Sequence, residues 1–68
     1  MLRLIQIPRG EGKGVWVFPT MIQAEFTADD DRPAVFIDTL AGKRFVIKCK
    51  SEDESIKIRD ELARRANL

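Results

Sequence analysis

Two short segments and two single residues carry the side chains best suited to chemistry. Gly10–Val15 is a glycine-rich run with one lysine, as in loops that bind phosphate through backbone N–H groups. Asp29–Asp31 offers the carboxylate oxygens that hard cations prefer. Asp38 and Cys49 each stand in an apolar segment, where burial can shift the pKa of a carboxyl group or a thiol.

The spacing within both segments favours a structural interpretation. Phosphate loops of the Rossmann and P-loop types lead into a helix, whereas the glycine run leads into Val15–Phe18, which is typical of a strand. Cation loops of the EF-hand type place their carboxylates at alternate positions and end with a glutamate. Three adjacent aspartates splay apart, so Asp29–Asp31 is predicted to be a solvated turn. The sequence therefore predicts no metal and no cofactor.

The two single residues also have simple structural interpretations. One carboxylate without a base partner does little chemistry, so Asp38 is expected near solvent or bonded to local backbone N–H groups. Lys48 and Lys50 would favour a thiolate at Cys49, but neighbouring residues of a strand point to opposite faces. Cys49 is therefore predicted to be a small buried residue of the core.

Composition excludes several classes of function. The chain has 68 residues, no histidine and one cysteine, which excludes Ser-His and Cys-His nucleophile pairs, a Cys/His zinc site and an internal disulfide. Its 12 basic and 11 acidic side chains give a formal net charge of +1, which is not typical of a strong DNA-binding protein. These counts predict a protein that is not an enzyme.

Length and hydropathy predict a single soluble domain over residues 1–68. The longest apolar runs are far shorter than the roughly 20 residues that cross a bilayer. The beginning of the chain lacks the long apolar stretch of a signal peptide. A lone cysteine and the lack of a targeting segment favour a cytoplasmic location without membrane contact.

The elements that must position these side chains are strands followed by one helix. Aliphatic and β-branched runs, separated by segments rich in glycine, proline or aspartate, predict four to five antiparallel strands. The predicted fold is α+β, an antiparallel meander with the helix packed on one sheet face. The predicted bounds are 2–7, 14–18, 20–27, 34–40 and 43–50 for the strands and 52–66 for the helix.

The helix has signals at both ends. Ser51 and Glu54 form a capping box, in which the Ser51 hydroxyl accepts from a first-turn N–H and Glu54 reaches back to the Ser51 N–H. Acidic residues fill the first turn and arginines the last, as the helix dipole favours. Ile58, Leu62 and Ala66 form one apolar stripe, which is expected to lie on the sheet.

A β-hairpin around Ala41-Gly42 is the clearest strand pair. A two-residue loop at this point pairs Leu40 with Lys43, and facing residues share one side of the sheet. This register predicts a core face and a second face that is half apolar and rimmed with cations. The core face would carry Phe36, Asp38, Leu40, Phe45, Ile47 and Cys49, and the second face Val35, Ile37, Arg44, Val46, Lys48 and Lys50.

Several segments follow the pattern of a known family in the same order. They are Met1–Leu4, Phe18-Pro19, Met21-Ile22, Asp38–Lys43, Val46–Lys48 and the Ser51/Glu54 cap. The pattern resembles small bacterial flagellar proteins of the FlbD/SwrD type, and similar bacterial and phage proteins that join a β-meander to a helix. The resemblance spans most of the chain and rests on hydrophobic pattern and one Gly-Lys turn. It implies the fold outline and a bacterial or phage type of protein, and it assigns no functional residue.

The surplus of apolar residues on the second face predicts an interaction surface. One helix covers only one face of a small sheet, so apolar residues on the other face indicate a partner or a second copy of the chain. The sequence therefore predicts a small protein-interaction module, which docks a partner or itself through the second face or an open strand edge. The expected anchors are Trp16, Val35, Ile37 and Val46, with Arg44 and Lys48 as rim charges.

Binding of nucleic acid is the alternative. The last strand and the end of the helix are rich in cations, and single-strand binders combine such a patch with stacking aromatic residues. Trp16 and Phe18 would supply those rings if the second strand presents them beside the cations. The residues of this alternative are Lys43, Arg44, Lys48, Lys50, Arg64 and Arg65.

Overall fold

The computed structural model of the chain describes residues 3–7 and 14–68. These residues form an α+β fold in which antiparallel strands make two sheets and a C-terminal helix packs against them. The α+β prediction is confirmed, but the strands are not one continuous meander. The elements are β1 (Ile5–Ile7), β2 (Val15–Val17), β3 (Pro19–Phe26), β4 (Pro33–Thr39), β5 (Arg44–Lys48) and α1 (Glu52–Ala66).

The strands divide into a two-stranded sheet, β1-β2, and a three-stranded sheet, β3-β4-β5. The helix has the predicted bounds, and β2 to β5 lie within two residues of theirs, whereas β1 begins at Ile5, three residues after its predicted beginning. Leu2, the first residue of the predicted first strand, lies outside the described residues. Only Phe18 separates the end of β2 from Pro19, which begins β3, so the chain changes sheets at a residue that cannot donate to a central ladder.

The β4–β5 hairpin has a three-residue loop, and this corrects the predicted register. The N–H of Gly42 donates to the carbonyl of Thr39 over 3.0 Å, and the N–H of Thr39 donates to the carbonyl of Lys43 over 2.9 Å. Gly42 has a φ of 83°, in the left-handed region that glycine adopts without a steric penalty. This is a type I turn followed by a glycine bulge, which adds one residue to the predicted loop.

A shift of one residue moves every side chain of a strand to the other face of the sheet. Ile37 therefore faces Phe45, and Phe36 faces Val46. Val35 and Ile37 are completely buried, so the expectation that they anchor a partner on an exposed face is wrong. Phe36 and Asp38 leave the predicted core face, and Leu40 lies in the turn with 71% of its surface exposed.

The core lies between the three-stranded sheet, the helix and β1. The buried cluster contains Ile5, Ile7, Val35, Ile37, Cys49, Leu62 and Ala66. Ile22 and Ala24 of β3 face Ile37 and Val35 of β4, as the alternation in that strand predicts. The N–H of Arg3 donates to the carbonyl of Ala66 over 3.1 Å, which joins the chain before β1 to the end of the helix. The small sheet is therefore part of the main core.

Both helix ends are capped by local sequence. The Ser51 hydroxyl accepts from the N–H of Glu54 over 3.1 Å, as predicted. The Glu54 carboxylate, however, accepts from the N–H of Lys50 over 3.1 Å, so its bond lies one residue before the predicted one. Asn67 adopts a left-handed conformation with a φ of 62°, and the N–H of Leu68 donates to the carbonyl of Ala63, which completes a Schellman motif.

Gly42→Ala is expected to lower the free energy of unfolding by about 1 kcal/mol, because a side chain disfavours a left-handed conformation. Nothing lies within 4 Å of the position where the new methyl group would stand, so the effect reports backbone conformation alone. Urea denaturation of the variant measures the loss. The matched control is Gly42→Asn, since asparagine tolerates this conformation, and an equal loss in both variants would contradict the assigned turn.

Candidate protein-interaction groove

An open apolar groove of about 470 Å³ separates β2 from the β4–β5 hairpin. Residues of β2 form one wall, and the hairpin turn and the beginning of β5 form the other. Only Lys43 among the lining residues carries a charge. The lining residues are Leu4, Val15, Trp16, Val17, Phe18, Thr39, Leu40, Ala41, Lys43 and Phe45.

Four large apolar side chains of this groove are exposed to solvent. The exposed fraction is 59% for Trp16, 71% for Leu40, 45% for Phe18 and 46% for Leu4. Side chains alternate along β2, which explains the position of the tryptophan. Val15 and Val17 pack against the core, and the indole of Trp16 lies on the other side of the strand. Exposed apolar residues are ordinary when they are scattered, but a cluster in one concave place indicates a binding surface.

One backbone hydrogen bond joins the two walls of the groove, and two further bonds fix the hairpin turn. The N–H of Leu40 donates to the carbonyl of Phe18 over 2.8 Å, which ties the hairpin turn to the end of β2. The buried Thr39 hydroxyl donates to the carbonyl of Lys43 over 3.1 Å and accepts from the N–H of Lys43 over 3.2 Å. The Leu40–Phe18 bond therefore links the two walls, and the Thr39–Lys43 bonds fix the turn that forms one of them.

The outer face of the three-stranded sheet is occupied by an ion pair beside an aromatic ring. Arg44 donates to both carboxylate oxygens of Asp38 over 2.6 and 3.0 Å, and its guanidinium lies 5.5 Å from the centre of the Phe36 ring. The hydrogen bonds from Arg44 lower the pKa of Asp38, and the same pair raises the pKa of Arg44. Asp38 is thus a paired, ionised group on the outer face of the sheet.

The aspartate turn is held by Asp30. The Thr27 hydroxyl donates to one oxygen of Asp30, and Lys48 donates to the other over 3.2 Å. The hydroxyl bond and then the lysine bond lower the pKa of this carboxyl group. Within residues 3–7 and 14–68, no group of three or more His, Cys, Asp or Glu side chains is placed to hold a metal ion.

Cys49 is a buried residue of the core, as predicted. Burial raises the pKa of its thiol, and the nearby Glu54 raises it further. Both effects favour the neutral thiol, which is a poor nucleophile. The thiol therefore belongs to the buried core cluster that includes Leu62 and Ala66 of the helix, and not to a reactive site.

Alkylation of Cys49 by iodoacetamide at neutral pH is expected to be at least about tenfold slower in the native protein than in urea, because attack needs an accessible thiolate. Mass spectrometry over time measures both rates. A short unstructured peptide with one cysteine corrects for the effect of urea on the reagent. Equal corrected rates would show that the thiol is accessible in the folded state.

The cations of the nucleic-acid alternative are spread along the molecule. Lys43 and Arg44 lie at the beginning of β5, and Lys48 and Lys50 lie at its other end, on the order of 20 Å away along an extended strand. Arg44 and Lys48 each have an aspartate partner. Arg64 and Arg65 lie in the last turn of α1, and Arg65 pairs with Glu61 over 2.9 Å.

The structure therefore keeps part of the predicted interaction surface and replaces the rest. Trp16 and Val46 are exposed as predicted, whereas Val35 and Ile37 are core residues. Leu4 and Leu40 are additional groove residues that the sequence analysis did not assign, and Phe18 was predicted only as a stacking ring of the nucleic-acid alternative. Leu40 was a signal in the sequence for this surface, because a large apolar residue in a hairpin turn cannot reach the core.

The described residues thus define a small α+β protein whose most distinctive surface feature is an apolar groove between two sheets. No family model, curated protein or solved structure matches the chain. In the part of the chain that the structure describes, the helix is too short and too polar to span a bilayer. The predicted glycine loop lies largely outside the described residues, which omit residues 8–13.

Proposed function

We propose that this protein is a small non-enzymatic interaction module, which binds a partner protein through the groove between β2 and the β4–β5 hairpin. The observation that carries the proposal is the exposure of Trp16, Phe18 and Leu40 in one concave apolar place. A soluble chain that exposes such residues loses solubility and gains nothing in stability unless the surface is covered in use.

The shape of the groove supports a partner segment that inserts side chains. Tryptophan is among the residues that most often dominate binding energy at protein interfaces, and it does so in pockets that exclude water. A backbone hydrogen bond from Leu40 to Phe18 joins the walls of the groove, which lowers the cost of reorganisation on binding. Lys43 at the rim adds a positive charge that orients an acidic partner.

The proposal includes the type of protein predicted from the sequence, which is a cytoplasmic protein of bacterial or phage origin. Its kinship with FlbD/SwrD-type flagellar proteins stays a prediction. A second copy of the chain is the other occupant predicted for this surface. Sedimentation equilibrium separates the two possibilities, because self-association through the groove gives a dimer whose dissociation depends on Trp16.

Selection from a library of random peptides is the experiment that tests the groove. Peptides that bind the immobilised protein are synthesised, and their dissociation constants are measured from the fluorescence of Trp16, which is the only tryptophan. Leu40→Ala is expected to weaken binding at least about tenfold, because it removes a large exposed apolar side chain of the groove. Trp16→Ala, measured by calorimetry, is expected to do the same.

Ile56→Ala is the matched control, since Ile56 is an exposed apolar residue of the helix and does not line the groove. It is expected to change affinity less than about twofold. If peptides bind equally well to Trp16→Ala and Leu40→Ala while both variants stay folded, the groove is not the interaction site and the proposal fails.

Nucleic-acid binding is a second candidate because Trp16, Phe18 and Lys43 line the same groove. Stacking of bases on exposed rings beside a cation is the usual mode for single strands. Titration with single-stranded oligonucleotides at low and moderate salt tests it. Quenching of Trp16 fluorescence with a steep salt dependence, lost in Lys43→Glu, would support this candidate, and no binding at low salt would reject it.

A further inference from the structure

The outer edge of β5 has backbone groups that no described strand pairs with. β5 is the last strand of its sheet and pairs only with β4. Two backbone bonds at the ends of the β4–β5 pair show which residues of β5 bond to β4. The N–H of Thr39 donates to the carbonyl of Lys43, and the N–H of Cys49 donates to the carbonyl of Pro33 over 2.8 Å. Antiparallel pairs alternate, so the N–H and C=O groups of Arg44, Val46 and Lys48 point away from β4.

This edge adjoins the groove. Phe45 points to the inner face of the sheet and lines the groove, whereas Val46 lies on the outer face with 45% of its surface exposed. Facing residues of neighbouring strands lie on the same side of a sheet. In a strand added beside β5, the residue that faces Phe45 would therefore lie at the groove, and the residue that faces Val46 would lie on the outer face. One extended segment can thus use the open backbone and the apolar groove together.

The charge of the edge argues against a second copy of the chain as that strand. An antiparallel pair of β5 strands centred on Val46 would place Arg44 of one copy opposite Lys48 of the other. Like charges directly opposite each other destabilise a strand pair. The cations protect the edge from self-association, as charged residues on exposed edges commonly do.

The same charges are complementary to an acidic strand. Residues 43–50 contain four cations and no acid, and no carboxylate among the described residues forms an ion pair with Lys43 or Lys50. The ion pairs of Arg44 and Lys48 are largely exposed, so their cations can share a second carboxylate at little cost. An acid opposite each of these two residues would flank an apolar residue opposite Val46.

We propose that the partner segment is an extended acidic peptide that adds as a strand to β5. Its central pattern is an acid, three apolar residues and a second acid, placed opposite Arg44, Phe45, Val46, Ile47 and Lys48. Backbone hydrogen bonds to Arg44, Val46 and Lys48 hold the strand, and the apolar residue opposite Phe45 enters the groove. This inference rests on the proposed function, because it names the class of segment that the same site binds.

The experiment uses the peptides selected on the wild-type protein. The inference predicts that they are enriched in Asp and Glu around an apolar centre. Replacing their acids by the corresponding amides is expected to weaken binding at least about tenfold at low salt. In the complex, hydrogen exchange at the N–H of Val46 is expected to slow at least about tenfold, because that N–H becomes bonded to the added strand.

A pair of variants separates the backbone from the side chain. Val46→Pro removes the outward N–H along with the valine side chain at a position that an edge strand tolerates, and it is expected to weaken binding at least about tenfold. Val46→Thr keeps the N–H and is expected to change affinity less than about threefold. Circular dichroism checks that both variants are folded. If Val46→Pro does not fold, hydrogen exchange in the wild-type protein shows whether the N–H of Val46 bonds to the peptide.

The outcomes distinguish this inference from the proposed function. Peptides that need Trp16 and Leu40 but are neutral or basic, or that leave exchange at Val46 unchanged, would overturn the added strand and leave the groove as the site. Slow exchange at Val46 in a dimer of the protein alone would show that a second copy occupies the edge and would also overturn it. Peptides that bind without needing Trp16 or Leu40 would contradict the proposed function itself.

Discussion

Ile37→Ala is expected to lower the free energy of unfolding by about 3 kcal/mol. Ile37 lies in the central strand with none of its surface exposed, opposite Ile22 on one side and Phe45 on the other. Truncation of a buried isoleucine removes apolar contacts and leaves a cavity, which costs roughly 2–5 kcal/mol. A 68-residue domain has a total stability of roughly 3–10 kcal/mol, so this one change removes a large fraction of it.

Urea denaturation followed by circular dichroism measures this effect. Val46→Ala is the matched control, because Val46 is a β-branched residue of the neighbouring strand with 45% of its surface exposed. It is expected to cost less than about 1 kcal/mol. The register predicted from a two-residue loop would put both residues on the same exposed face. Equal small losses in the two variants would therefore favour that register and contradict the three-residue loop.

Ile7→Ala is expected to cost about 2–3 kcal/mol and to weaken the groove at the same time. Ile7 is 2% exposed and belongs to the main core, although its strand lies in the smaller sheet. It also pairs with Val15, which lines the groove. Loss of its packing is expected to loosen β1 from the core, and β2, which pairs with no other described strand, loosens with it.

Two measurements on the same variant test this coupling. Urea denaturation gives the stability loss, and titration with a selected peptide gives the change in affinity. Gln6→Ala is the control, since Gln6 is the exposed residue between the two buried isoleucines of β1, and it is expected to change both quantities little. A stability loss for Ile7→Ala below about 0.5 kcal/mol would mean that the small sheet does not share the core.

The helix could be predicted from the sequence because its signals are local. Ser51 accepts a hydrogen bond from the first turn, and the acidic first turn and the arginines of the last turn lie where the helix dipole favours them. The position of the Glu54 bond was wrong by one residue, since the carboxylate can reach more than one neighbouring N–H. That difference does not move the end of the helix.

The register of the β4–β5 hairpin was not predictable from alternation. Residues 34–37 are Ala-Val-Phe-Ile, so every position is apolar and the pattern does not indicate which residues face the core. The phase then depends on the loop, and Leu40-Ala41-Gly42 fits either a two-residue loop or a three-residue loop with a glycine bulge. The prediction of a two-residue loop exchanged the two faces of β4 and therefore placed Val35 and Ile37 on the surface.

The groove was only partly predictable because it depends on the position of one sheet relative to another. Trp16 was recognised as a surface anchor from its sequence context, but its neighbours across the groove come from residues more than twenty positions away. The bond between Leu40 and Phe18 that joins the walls is a contact of this kind. Hydrophobic periodicity describes one element at a time and contains no information about such contacts.

The most direct test of the groove as the interaction site is the ¹⁵N–¹H spectrum of the protein with and without a selected peptide. We expect the shifted amide signals to concentrate in residues 14–18 and 39–46, around Trp16 and Leu40, and the signals of helix α1 to change little. Shifts concentrated on the exposed face of α1, or around Arg64 and Arg65, with residues 14–18 unaffected, would contradict it.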